Sequence, residues 1–232
     1  LIFFLYGDLK MKKLTAALFF YSLGMSLSAH AGVVMGGTRV VYLEGQREVA
    51  FSITNMEKET PYLIQSWIEN IDSKNKTAPP FIVTPTLFRL DAEQKNSLRI
   101  NYLGTPLPTD RESVFWLNIK NIAPSKKANS NKLQINVKSK FKLFFRPAGL
   151  KGNAELAYKK LKFTCRNNTL SAHNPSPWFV SFYKVSVGNT DVEMPGMIDP
   201  FSDRQWHIPC SGAIRWQAIN DYGGLTRVAT QS

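Results

Sequence analysis

The chain has 232 residues, 44% hydrophobic and 20% charged, with 29 Lys and Arg against 17 Asp and Glu and a formal net charge of +12. This is globular composition, enough for one large or two small cored domains, and it excludes a disordered or low-complexity chain. A basic balance points to nucleic acid, an anionic membrane or acidic groups on a partner, with generic basicity as the plain alternative because the cations scatter except around Lys138 to Lys142.

From Met11 the chain reads "MKKLTAALFFYSLGMSLSAHAG". Two lysines, a short apolar run and small residues at Ala29 and Ala31 are the three parts of a secretory signal peptide. Residues 1–10 precede a credible start methionine and read as upstream translation. Cleavage after Ala31 leaves a mature chain from Gly32. No later segment is apolar and long enough to span a bilayer, so an exported protein without a membrane anchor is expected.

Short β-rich runs then follow one another: 38–45, 48–55, 62–70, 80–90, 96–103 and 113–122. Turn-forming clusters such as "MEKETP", "DSKNKTAPP" and "GTPLPTDRE" separate them. The next run, "KLQINVKSKFKLFFRP" (132–147), alternates Leu133, Ile135, Val137, Phe141, Leu143 and Phe145, broken by Ser139. Its other face carries Gln134, Asn136, Lys138, Lys140, Lys142 and Arg146, with Phe144 as its apolar exception. At about 3.3 Å per residue it would span roughly 40 Å, longer than the usual strand. Seven strands without a convincing long helix predict an all-β, immunoglobulin-like β-sandwich.

"RPAGLKGNAEL" has linker composition. A second β series follows at 161–165, 169–174, 178–188 and 214–220 and at the chain end, while "AELAYKKLKF" has the pattern of a brief helical turn but is not assigned as one. The organisation predicted is a leader over 1–31, a first sandwich over 32–150 and a second over 151–232. The two cysteines, Cys165 and Cys210, are expected to form one disulfide in an oxidising compartment. A free pair or a metal site is the weaker alternative, since His207 is too close for the usual ligand spacing.

The chain carries no G-x-S-x-G elbow, phosphate-cradling glycine loop or H-E-x-x-H pair, and no cofactor, metal or nucleic-acid partner is assigned. Past the leader its histidines are His173 and His207, neither in a metal-ligand spacing. Five tryptophans, Trp67, Trp116, Trp178, Trp206 and Trp216, suggest sugar binding or, more commonly in strands, core filling.

Taken together, "GGTRVVYLEG", "YLIQSWIEN", "FIVTPTLFRL", "LPTDRESVFWLNIKNI", "LQINVKSKFKLFFRPAGL", "NPSPWFV" and "INDYGGL" resemble the periplasmic chaperones of the chaperone–usher pathway, over about Gly32 to Leu225. The resemblance implies two sandwiches in a boomerang arrangement with a cleft between them. It implies a protein that binds, helps fold and caps pilus subunits by donor-strand complementation and delivers them to an outer-membrane usher. It places Arg39 and Lys142 on the basic pair that anchors a subunit's C-terminal carboxylate. Leu133, Ile135 and Val137 fall on the donor residues, and Glu112, Arg146 and Asp221 on an interdomain charge network. The short loop between "NIAPS" and "KLQI" matches the branch that serves rod-type and tipped fimbriae. Thr86 stands where many relatives have a second proline, so no isomer is assigned at Pro85, and the cysteine pair is not shared by every member.

The physics of the long strand agrees independently. An exposed alternating edge is an aggregation hazard unless it exists to be paired, and chaperone–pilin complementation is a recognised form of strand addition. The competing readings are a pilus structural subunit, against which the weakly alternating end "LTRVATQS" counts, and a secreted carbohydrate-binding or other sandwich module, which exposed tryptophans would favour.

Overall fold

The structure is a computed structural model that describes residues 32–124 and 136–231. Residues 1–31, expected as a leader, lie outside the described residues, as do Leu133 and Ile135. The all-β expectation is met: β-strands dominate, arranged around two separate hydrophobic cores.

In chain order the first series is β1 (Val33–Met35), β2 (Arg39–Leu43), β3 (Val49–Asn55), β4 (Tyr62–Asn70), β5 (Phe81–Thr84), β6 (Leu87–Leu90), β7 (Lys95–Tyr102), β8 (Ser113–Ile122) and β9 (Val137–Arg146). One sheet has the order β1-β3-β7-β5, and the sheet packed against it has the order β2-β9-β8-β4-β6. Alternate residues of both sheets bury the core between them, among them Ile53, Leu98 and Ile100 from one and Ile64, Leu117 and Leu143 from the other, all essentially inaccessible to solvent.

The run 80–90, expected as one strand, is two strands in different sheets. Pro85, whose peptide bond with Thr84 is cis, has no N–H to give a ladder, and the backbone changes sheet there. Ser66 of β4 receives the turn: its N–H bonds to Thr86 O at 2.8 Å and its hydroxyl to Pro85 O at 2.8 Å.

The second series is β10 (Lys162–Arg166), β11 (Thr169–His173), β12 (Val180–Val187), β13 (Thr190–Asp191), β14 (Met197–Ile198), β15 (Asp203–His207), β16 (Ile214–Ile219) and β17 (Ala229–Gln231). The sheet β10-β11-β15 faces the sheet β13-β12-β16-β17, to which β14 adds beside β12. Cys165 and Cys210 are bonded, tying the end of β10 to the segment after β15. Strand β15 escapes the sequence pattern because Trp206 is the one apolar residue in "DRQWH".

Within "AELAYKKLKF" the brief helical turn left unassigned from sequence is present, as a 3₁₀ helix at Ala154–Lys160. Asn153 caps it by accepting from Glu155 N–H at 2.8 Å, and Ala157 and Tyr158 are buried in the second core. Burial of that pair, rather than helix propensity, holds so short a turn in place. Trp216 of β16 and Trp178, in the bend ahead of β12, fill the second core. Trp67 and Trp116 do not, and lie half-buried on the outer face of the β4–β8–β9 sheet.

Candidate functional site

Strand β9 carries most of the predicted residues, and its two edges are unequal. Along one edge it pairs antiparallel with β8 over its whole described length, from Asn121↔Val137 to Ser113↔Phe145. Along the other it pairs parallel with β2, but only from Arg39↔Lys142 to Leu43↔Arg146. Among the described residues no strand pairs with Val137–Phe141 on that side. Val137, the described member of the predicted donor set, is 55% exposed.

Arg39 and Lys142, the predicted anchor, are therefore direct cross-strand neighbours at the point where β2 begins. Two like charges placed opposite one another destabilise a sheet. The Lys142 ammonium reaches across to the second sandwich and donates to Ser181 Oγ of β12 at 3.3 Å. Arg39 Nη1 donates to Ile219 O of β16 at 3.1 Å, and its guanidinium lies 5.8 Å from the centre of the Phe144 ring. Its Nε is buried with no hydrogen-bond partner among the described residues. Burial and then the nearby Arg39 and Arg204 charges push the Lys142 pKa down to about 8, against a pull from Asp199. Burial likewise lowers that of Arg39, with Asp221 opposing. Both cations are thus held partly desolvated and side by side. A carboxylate would relieve the repulsion and meet a planar guanidinium fork beside a point charge.

Behind the anchor, the structure brings Glu112, Arg146 and Asp221 together. Arg146 Nε donates to Glu112 Oε1 at 2.7 Å, Nη1 to Asp221 Oδ2 at 2.8 Å and Nη2 to Asp221 Oδ1 at 3.2 Å. Glu112 Oε2 accepts from Phe179 N–H at 2.9 Å, so one carboxylate ties the end of the first sandwich to the start of β12. Burial raises the Glu112 pKa against the pull of Arg146. For Arg146 burial works the other way, yet the bonds and charges of Asp221 and Glu112 outweigh it and raise its pKa. Phe144 packs against Phe179 with ring centres 5.8 Å apart, sealing the same junction.

Sequence reasoning missed Ser181, Phe179 and Ile219, which contribute a hydroxyl, a backbone N–H and a carbonyl. Backbone groups leave no trace in a sequence, and one serine in "WFVSFYKV" has no distinguishing spacing. It gave Lys138 and Lys140 no partner, whereas both are engaged. Lys138 Nζ lies 3.6 Å from Glu69 Oε1 and Lys140 Nζ lies 3.4 Å from Glu69 Oε2.

The fold and site define a two-sandwich binding protein with a half-paired strand leading into a cationic strand end. Comparison with known proteins agrees. Residues 32–151 match the family described as pili and flagellar-assembly chaperone, PapD N-terminal domain, and residues 156–230 match the pili assembly chaperone PapD, C-terminal domain. The chain is 37% identical over 225 residues to the probable fimbrial chaperone LpfB of Escherichia coli O157:H7, covering 92% of this chain and 96% of that relative. To the Escherichia coli chaperone protein FocC it is 40% identical over 204 residues, covering 85% and 88%. The solved Salmonella enterica SafA pilin in complex with the SafB chaperone matches with a TM-score of 0.79 and 32% identity, over 86% of this chain and 95% of that one. This chain belongs to the PapD-like family of pilus-assembly chaperones.

Proposed function

We infer that the protein is a periplasmic chaperone that binds pilus subunits, completes their unfinished sandwich with its own strand and delivers them to an outer-membrane usher. It acts by binding, without a catalytic step. Export through cleavage after Ala31 supplies the compartment, with the sandwiches spanning 32–150 and 151–232.

One observation carries the reading: β2 occupies the outer edge of β9 only from Lys142 onward. A strand added in the lane ahead of β2 would continue β2's line. It would therefore run parallel to β9 and end with its terminal carboxylate at Arg39 and Lys142. Backbone ladder bonds supply affinity in such an addition, and alternate side chains supply specificity. Val137, and Leu133 and Ile135 before it in the sequence alternation, would then fill the subunit's groove. The anchor fixes register, since a one-residue slip would turn every donor side chain to the wrong face. Glu112, Arg146 and Asp221 hold the two sandwiches in the relation that keeps Ser181 and Lys142 together.

The test uses purified protein and a synthetic peptide copying the last strand of a pilus subunit, prepared as free acid and as C-terminal amide. The free acid should bind at least about thirtyfold more tightly, the effect of losing one strong charge-assisted contact. Arg39→Ala and Lys142→Ala should each abolish that preference while leaving the fold intact. Equal binding of acid and amide would remove the anchor from the reading.

A further inference from the structure

The outer face of the β4–β8–β9 sheet holds a charge arrangement that the anchor and donor roles leave unexplained. In register across it stand Gln65, Lys120 and Lys138, then Trp67, Asn118 and Lys140, then Glu69, Trp116 and Lys142. Lys120 thus lies directly opposite Lys138, a like-charge pair that by itself pushes Lys138 outward, past β9 toward its unpaired edge. The side chains point the opposite way. Lys138 Nζ sits 4.7 Å from the centre of the Trp67 ring and Lys140 Nζ 5.4 Å from that of Trp116. Glu69 takes both ammonium groups, one on each carboxylate oxygen, and accepts from Trp67 Nε1 at 2.7 Å. Neighbouring strands are about 4.8 Å apart, so a contact from β9 to β4 crosses roughly 10 Å of sheet. Two lysine chains lying over β8 span it with their heads directed away from the free edge.

Lysines on an exposed edge ordinarily obstruct pairing, because a strand arriving there must displace or desolvate their heads. We propose that Glu69 is a positioning residue that draws Lys138 and Lys140 back over Trp67 and Trp116, so that the Val137–Phe141 edge stays open to an incoming subunit strand. The hydrogen bond from Trp67 is the leading cause holding the Glu69 carboxyl below its ordinary pKa, with Lys138 and Lys140 adding to it against burial, so the clamp stays charged at neutral pH. The inference rests on the strand-addition reading above and names what keeps that edge competent.

The experiment is peptide capture by the full chain, with the same free-acid and amide peptides. Glu69→Gln should keep its thermal midpoint and its preference for the free acid, yet bind the free-acid peptide about three- to tenfold more weakly, with the loss in association rate, as two released edge side chains would cause. Adding Lys138→Ala and Lys140→Ala to Glu69→Gln should restore binding, because nothing is then left to withdraw. Wild-type capture by Glu69→Gln would overturn the proposal. So would failure of the triple variant to recover, which would make Glu69 a structural support. Loss of the acid preference in the wild-type protein would instead count against the anchor, so the two failures are separable.

Discussion

Upstream of Lys142, strand β9 has β8 as its one neighbour among the described residues, and Val137 is 55% exposed. From Lys142 onward it lies between β8 and β2, and Leu143, Phe144 and Phe145 are buried. The sequence pattern changes little along it: every second residue from Phe141 to Phe145 is apolar across Lys142, and Phe144 is the one apolar residue on the other face. What changes is the neighbour. The downstream half belongs to a finished sandwich and to a junction closed by Phe179 and Asp221, and it holds the protein together. The upstream half is the part that the proposed strand addition assigns to a partner. The lesson is that one strand can be structural and functional in series, with the boundary set by where its second partner begins.

Breaking the downstream half should show as stability. Arg146→Ala leaves the Glu112 carboxylate buried without its cation and should cost about 3–5 kcal/mol. Leu143→Ala opens a cavity in the first core and should cost about 2–5 kcal/mol. Both are read from denaturant unfolding, and an unchanged midpoint for Arg146→Ala would make the network peripheral. Because Asp221 is more exposed than Glu112, Asp221→Ala should cost less than Arg146→Ala.

The upstream half should answer through capture instead. Val137→Asp should leave unfolding within about 0.5 kcal/mol of wild type, as for other exposed positions. It should weaken subunit capture about tenfold or more, the worth of one buried valine. A variant that lost stability and kept capture would reverse the division between the halves.

At the boundary itself, pH sharpens the comparison, because the two properties move in opposite directions. With its pKa lowered to about 8 from 10.5, Lys142 holds fewer protons in the folded than in the unfolded chain across that window. Its contribution to stability therefore rises with pH through the window and is lost as pH falls through about 8. Carboxylate capture needs the charged ammonium, so it should weaken as pH rises above about 8. Titrating free-acid peptide binding from pH 7 to 10 checks this, and Lys142→Gln should flatten the profile. The same slope in that variant would place the titrating group elsewhere.

Much of this was legible in the chain. Alternation marked the long strand and put its cations on one face, and turn clusters separated most strands of the first sandwich. The family motifs singled out Arg39 and Lys142 as one pair and Glu112, Arg146 and Asp221 as a separate network. Strand β15 was silent because four of its five residues are polar, and the 3₁₀ turn was not decided locally because its stability comes from burying Ala157 and Tyr158. The break at Pro85 shows the limit of local pattern: an apolar run reads the same whether it stays in one sheet or crosses to another.

The sequence by itself determined which face of each strand is apolar and which residues carry charge, because side-chain chemistry and a period of two are local properties. Tertiary structure alone decided that β2 meets β9 in parallel at Lys142 and no earlier, since that pairing joins segments far apart in the chain and depends on both sheets closing over one core. It also decided the direction of the lysines. In sequence Lys138 and Lys140 are two cations on the polar face of a long strand, and only the placing of β4 beyond β8 brings Glu69 within reach of both.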